Sequence, residues 1–192
     1  VFTLDDSTCV TVLTEKIDGG LVIKNGEEDI FVKSQGEDCY SVPVFGGSWT
    51  GEWSGGVWTG DWIDSLRTKD YRVKLEVSPL ENLVPVRGEL VNSVWDTSIG
   101  KFKLTQKGDS TWATFMTSTG DYRYLAGKID TITNEFRIQN FDGVHLFYFE
   151  GVIKGDSITG GVFKSGVHYS ASWNGVRAEN EKVKWSSKQE WG

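Results

Sequence analysis

Residues 49–62 read Trp49-Thr50-Gly51-Glu52-Trp53-Ser54-Gly55-Gly56-Val57-Trp58-Thr59-Gly60-Asp61-Trp62. Apolar and polar residues alternate on both sides of a Ser-Gly-Gly centre, which is the period of a β-strand and the chemistry of a hairpin turn. With Ser54 to Val57 as the loop, Trp53 falls opposite Trp58, Gly51 opposite Gly60, and Trp49 opposite Trp62. All four indoles then share one face, separated by a glycine step. A bare glycine between bulky neighbours lets a strand coil sharply, or lets a ring from across the core lie over the backbone.

The same large, glycine, large order returns around Gly155-Asp156. A two-residue loop there sets Ile153 against Ile158, Gly151 against Gly160, and Phe149 against Val162. A weaker copy follows Gly108-Asp109, where Thr111, Ala113 and Phe115 line one face. Tyr71, Val73, Leu75 and Val77 alternate with Arg72, Lys74 and Glu76, as in a half-buried antiparallel strand. Further turn signals stand at Asn25-Gly26, Asp142-Gly143 and Ser165-Gly166. Gly143-Val144-His145 and Gly166-Val167-His168 each lead into an aromatic-bearing strand that reaches a Gly-Val pair, suggesting two related halves.

The chain of 192 residues carries 23 Gly, 9 Trp and a net charge of −7. Its aromatic content supplies a real core, and its charged fraction is ordinary for a folded domain. No apolar run is long enough for a membrane-spanning helix. An acidic balance without a Lys/Arg cluster argues against nucleic acid, whose phosphates need neutralising. Val1 opens the chain without Met or a signal pattern, so the expectation is a processed or excised chain. Cys9 and Cys39 form neither a redox C-x-x-C pair nor a metal spacing. One disulfide between them and two separate thiols are both open readings.

Several residues bear chemistry. Trp49, Trp53, Trp58 and Trp62 suit either the filling of a barrel core or a platform for a glycan or small apolar ligand. Asp121-Tyr122-Arg123-Tyr124 places charges between aromatics, with Arg123 and Asp121 as an ion pair inside the barrel or Arg123 as an anion contact. His145 and His168 read as turn-supporting or pocket-edge histidines, because further metal ligands with recognisable spacing are missing. The carboxylates Glu27-Glu28, and Glu52 with Asp61, read as surface charge rather than an acid–base pair. No nucleophile elbow, phosphate loop or dinucleotide fingerprint occurs, so no catalytic residue, metal or cofactor is expected.

The stretch from Thr114 through Gly120-Asp121-Tyr122-Arg123-Tyr124-Leu125, then Phe141-Asp142-Gly143-Val144-His145-Leu146-Phe147-Tyr148-Phe149, Lys154-Gly155-Asp156-Ser157-Ile158-Thr159-Gly160 and Ser165-Gly166-Val167-His168, resembles one module. It is similar to the β-rich N-terminal domain that precedes a thioredoxin-fold domain in bacterial envelope thiol-disulfide reductases of the TlpA-like and peroxiredoxin-like kind. The likeness is most specific from Phe102 to Arg177. It implies a periplasmic, envelope or secreted protein whose redox chemistry lies in a downstream thioredoxin-fold partner domain, with this chain as a non-catalytic accessory piece. No thioredoxin C-x-x-C occurs up to Gly192.

The expected fold is all-β, an antiparallel lipocalin-like barrel or strongly coiled two-sheet sandwich of about ten to fourteen strands. One β domain spans residues 1–177, with halves near 10–78 and 86–177 and a seam around Ser78 to Pro85. Residues 178–192 read as a linker or tail toward a downstream domain. The expected function is recognition or presentation for an envelope thiol-disulfide oxidoreductase. The alternative is a stand-alone lipocalin-like barrel that takes an apolar ligand or glycan on its Trp face, with Tyr122, Arg123, Tyr124, His145 and His168 as further contacts.

Overall fold

The computed structural model describes residues 2–5, 8–63, 72–77, 88–167 and 169–178. The seam near Ser78 to Pro85, the tail from 179 onward, Tyr71 and His168 lie outside the described residues. Among the described residues there are seventeen strands, all paired antiparallel. That exceeds the expected number because short pieces such as β2 (Thr8–Val10) and β6 (Cys39–Val42) form strands of their own.

The first nine strands make one curled half-barrel sheet. They are β1 (Phe2–Asp5), β2, β3 (Leu13–Ile17), β4 (Gly20–Asn25), β5 (Glu28–Ser34), β6, β7 (Gly47–Ser54), β8 (Val57–Ile63) and β9 (Arg72–Val77). Their spatial order is β2-β1-β9-β8-β7-β6-β5-β4-β3. The remaining eight close into a barrel in chain order: β10 (Leu90–Thr97), β11 (Gly100–Lys107), β12 (Ser110–Thr117), β13 (Tyr122–Ile129), β14 (Glu135–Phe141), β15 (Leu146–Lys154), β16 (Ser157–Ser165) and β17 (Tyr169–Arg177). Closure removes the free edges of that sheet.

The tryptophan hairpin has the register its sequence demands. Trp49 pairs with Trp62, Gly51 with Gly60, and Trp53 with Trp58. Gly55 and Gly56 hold φ of 59° and 82°, the left-handed conformation of a two-residue turn whose twist matches the flanking strands. The Gly51–Gly60 step is the floor on which Trp58 lies. A Cβ on Gly60 would stand 2.4 Å from the Thr50 carbonyl oxygen and 2.6 Å from the Trp58 ring. Gly60→Ala is therefore expected to cost about 1–3 kcal/mol by overpacking. Urea unfolding should show it as a lower midpoint at unchanged slope.

In the barrel the second hairpin departs from the expected register. Ile153 faces Ile158 as expected, but Glu150 faces Val162 and Phe149 faces Phe163. Two residues, Gly160 and Gly161, stand opposite Gly151 alone, and Gly160 has φ of 62°. This is a bulge that begins at a left-handed glycine. The shift brings the Phe149 and Phe163 rings within 4.7 Å. It also leaves Gly161 beneath Trp173, whose ring a Cβ there would approach to 2.8 Å. A tryptophan over a glycine thus occurs in both sheets.

Two apolar cores result. The barrel interior is filled by Phe102, Phe115, Phe149, Trp173 and their neighbours, with Phe102 stacked at 4.6 Å on Phe115 and 5.2 Å on Trp173. The other core lies between the half-barrel sheet and the outside of β14 and β15. It joins Ile23, Val32, Trp49, Trp58 and Trp62 to Phe141, Val144, Leu146 and Tyr148.

Candidate binding site

The hairpin turn Asp142-Gly143-Val144-His145, between β14 and β15, enters the concave face of the half-barrel sheet. The Trp49 Nε1–H donates to the Gly143 carbonyl at 2.7 Å, and the Trp62 Nε1–H to the Val144 carbonyl at 3.1 Å. Trp49 and Trp62 flank Phe141 at 6.0 and 5.0 Å. Gly47 leaves the space that Val144 takes, since a Cβ there would lie 2.2 Å from its methyl carbon. Trp58 bonds the Asp38 carbonyl at 3.3 Å. Trp49, Trp58 and Trp62 have no exposed surface, and Trp53 is 43% exposed at the hairpin tip. The Trp face is thus occupied by the chain's own turn, which is the core reading of these indoles.

Polar ties surround this contact. Asn25, buried at the end of β4, mimics a peptide group: its Nδ2–H donates to the Phe141 carbonyl at 2.8 Å, and its Oδ1 accepts the Phe141 N–H at 3.1 Å. Gln139 donates to the Thr11 carbonyl at 3.0 Å. Asn140 donates to Glu28 at 2.8 Å, and Lys164 donates to the Thr8 hydroxyl. In the sequence Asn25 stands out only as a turn residue. Its partner is 116 positions away, and no local pattern names it.

The same turn reaches the barrel mouth. Val144 faces the half-barrel sheet, whereas the His145 ring lies 4.5 Å from Phe147 and its Nε2 is 2.9 Å from the Ser165 hydroxyl. Phe147 and Phe163 pack on the top of the barrel core. The Arg123 guanidinium sits 5.0 Å above the Phe147 ring and forms a two-point ion pair with Asp121 at 3.0 and 2.9 Å. Phe163 lies 6.4 Å from Phe147, nearly parallel, and 5.8 Å from Tyr169, which is 56% exposed. Of the residues singled out from sequence, Arg123 and His145 meet here. Tyr122 and Tyr124 take the opposite face of β13 by strand alternation. The additional members Phe147, Phe163, Ser165 and Tyr169 are the inward residues of β15, β16 and β17 at this end, which alternation reveals only once the bulge is placed.

Near the mouth, Asp121 pairs with the Arg123 guanidinium, and Asp142 feels the charge of both Arg123 and Glu28. Burial, with the nearby charge of Glu28, holds the Asp142 carboxyl above its usual range, against the lowering effect of the N–H groups it accepts from Val144 at 2.9 Å and His145 at 2.7 Å and of the Arg123 charge. A carboxyl raised by folding favours the folded state below its unfolded pKa, and that contribution is lost as pH rises through the folded value. Asp142→Asn keeps an accepting oxygen without the charge. It should raise stability at neutral pH in thermal melts, the gain vanishing below about pH 4.

Ser165 and His145 are within hydrogen-bond distance, the first two members of a nucleophile relay. Asp142, however, holds the main-chain amide of His145. Inside the barrel the Trp173 Nε1–H is buried without a hydrogen-bond partner among the described residues. No cluster of three or more His, Cys, Asp or Glu suited to a metal occurs among the described residues. Cys39 is a free thiol on β6, and four strands separate it from β2, which carries Cys9. Of the two open readings, the one without a Cys9–Cys39 disulfide holds, since Cys39 is free. Compared with protein-family models, curated proteins and solved structures, the chain matches none.

Proposed function

We propose that this chain is a non-catalytic recognition module whose ligand contact is the mouth of the closed barrel. The observation that carries this reading is the distribution of filled and open aromatic surface. The Trp face is covered by the chain's own turn and the barrel interior by its own rings, whereas Phe147, Phe163 and Tyr169 reach the mouth beside Arg123, Ser165 and His145. Barrel mouths combine apolar walls with a few placed polar groups, the composition of small-ligand sites. The wider setting we propose is an accessory role beside an envelope thiol-disulfide partner, supported by the ordered motifs from Thr114 to His168.

Titration of the full chain with 2-naphthol, followed by two-dimensional NMR, tests the mouth. The expected result is shifts confined to Phe147, Phe163, Ser165 and Tyr169, without turnover of p-nitrophenyl acetate beyond that of Ser165→Ala. Shifts centred elsewhere, or ester turnover lost in Ser165→Ala, would contradict the reading.

A further inference from the structure

We infer that Asn25 is a deamidation site whose conversion releases the Asp142–His145 turn from the tryptophan face. Asn25 is followed by Gly26, which is exposed and holds φ of 61°. A glycine has no side chain to obstruct its own amide nitrogen, so in an Asn-Gly pair that nitrogen attacks the preceding carboxamide more readily than in other pairs. The only co-reactant is water. The Gly26 nitrogen bonds Asn25 Cγ and gives up its proton as Nδ2 leaves as ammonia, and water then opens the succinimide ring to aspartate or isoaspartate.

Folding blocks this attack. The Asn25 carboxamide is 1% exposed and held by two hydrogen bonds to Phe141, so Cγ cannot turn onto the Gly26 nitrogen and water is excluded. Conversion therefore follows opening of the chain. Neither product restores the fastening. Aspartate lacks the Nδ2–H that the Phe141 carbonyl accepts and brings a charge into a buried position. Isoaspartate adds a methylene to the backbone where Asn25 pairs with Glu28. Phe141 is the ring that Trp49 and Trp62 flank, and the turn departs from it, so the loss reaches the indoles directly. The closed barrel is held by a separate core. A reversible opening thus becomes a lasting release of the tryptophan face, with the barrel kept. The pair Asn174-Gly175 supplies an internal comparison: Gly175 pairs with Ile158 and Thr97 within the barrel, so conversion there leaves the Phe141 fastening alone.

The test ages the full chain in mildly alkaline buffer, natively and in concentrated guanidinium chloride. Tryptic peptides 25–33 and 165–177 are followed by mass spectrometry for the change from amide to acid. Asn25 is expected to convert at least about a hundredfold more slowly in the native chain than in guanidinium. Chains converted in guanidinium are then refolded and separated on an anion exchanger by the added negative charge. Those converted at Asn25 alone should exchange the Trp49 and Trp62 indole N–H protons at least about a hundredfold faster than the unconverted chain. Their Phe115 and Phe149 backbone amides, in the barrel, should stay protected. Chains converted at Asn174 alone should keep the indoles protected. Equal conversion rates at Asn25 in native and denatured chains would overturn the inference. So would indoles that stay protected after Asn25 converts, or barrel amides lost along with them.

Discussion

Trp49→Ala is expected to lower folding stability by about 3–5 kcal/mol, the range for deleting a large buried ring, which for a chain of this size is a drop of roughly 10 °C in melting temperature. Trp49 has no exposed surface and touches Tyr40, Trp58 and Phe141 at centroid distances near 6 Å. Its loss opens a cavity in the core shared by the half-barrel sheet and the outside of β14 and β15. The hydrogen bond to Gly143 can be separated from the packing: Trp49→Phe keeps a ring and strands the Gly143 carbonyl, for about 1–3 kcal/mol. The alanine change should also expose the 141–146 segment to protease, whereas Trp53→Ala, at the exposed hairpin tip, should change stability by less than about 1 kcal/mol.

Asn25→Asp should cost a similar amount at neutral pH, about 3–5 kcal/mol, because it buries a charge without a partner. Asn25 is 1% exposed, and its Nδ2 lies 2.8 Å from the Phe141 carbonyl oxygen. The substitution turns that donor into a carboxylate oxygen facing another oxygen. Burial raises the pKa of the introduced carboxyl in the folded state, so the variant is most stable below the unfolded value of about 4. It then loses stability as pH rises through the folded value. Denaturation at pH 4 and pH 7 checks this directly: the gap from wild type should widen with pH. Asn25→Ala, which removes both hydrogen bonds without adding charge, should lose about 1–3 kcal/mol with no such widening.

The all-β architecture could be read from the chain because its determinants are local. The Gly55-Gly56 turn fixes the twist, and the turn and the indole spacing together fix the pairing of Trp49 with Trp62. Bare glycines at 51 and 60 admit the Trp58 ring. The bulge at Gly160 and Gly161 could not be read in this way. Neither residue has a side chain whose face would betray a shift, so Phe163 rather than Val162 faces Phe149. The site was less visible still. Arg123 and His145 stand out by type, but what joins them is Phe147, an apolar residue indistinguishable in sequence from its core neighbours. Asn25 and the Val144 socket at Gly47 depend on contacts about a hundred residues apart, which turn chemistry cannot encode.

The central claim is that the tryptophan face holds the chain's own Asp142–His145 turn. Hydrogen exchange at the indole Nε1–H protons of Trp49 and Trp62, followed by NMR in the full chain, tests it most directly. Both protons are expected to exchange only with global unfolding, and to exchange far faster once Asn25→Ala loosens the turn. Rapid exchange of both indoles in the wild-type chain, on the timescale of a solvent-exposed indole N–H, would contradict it.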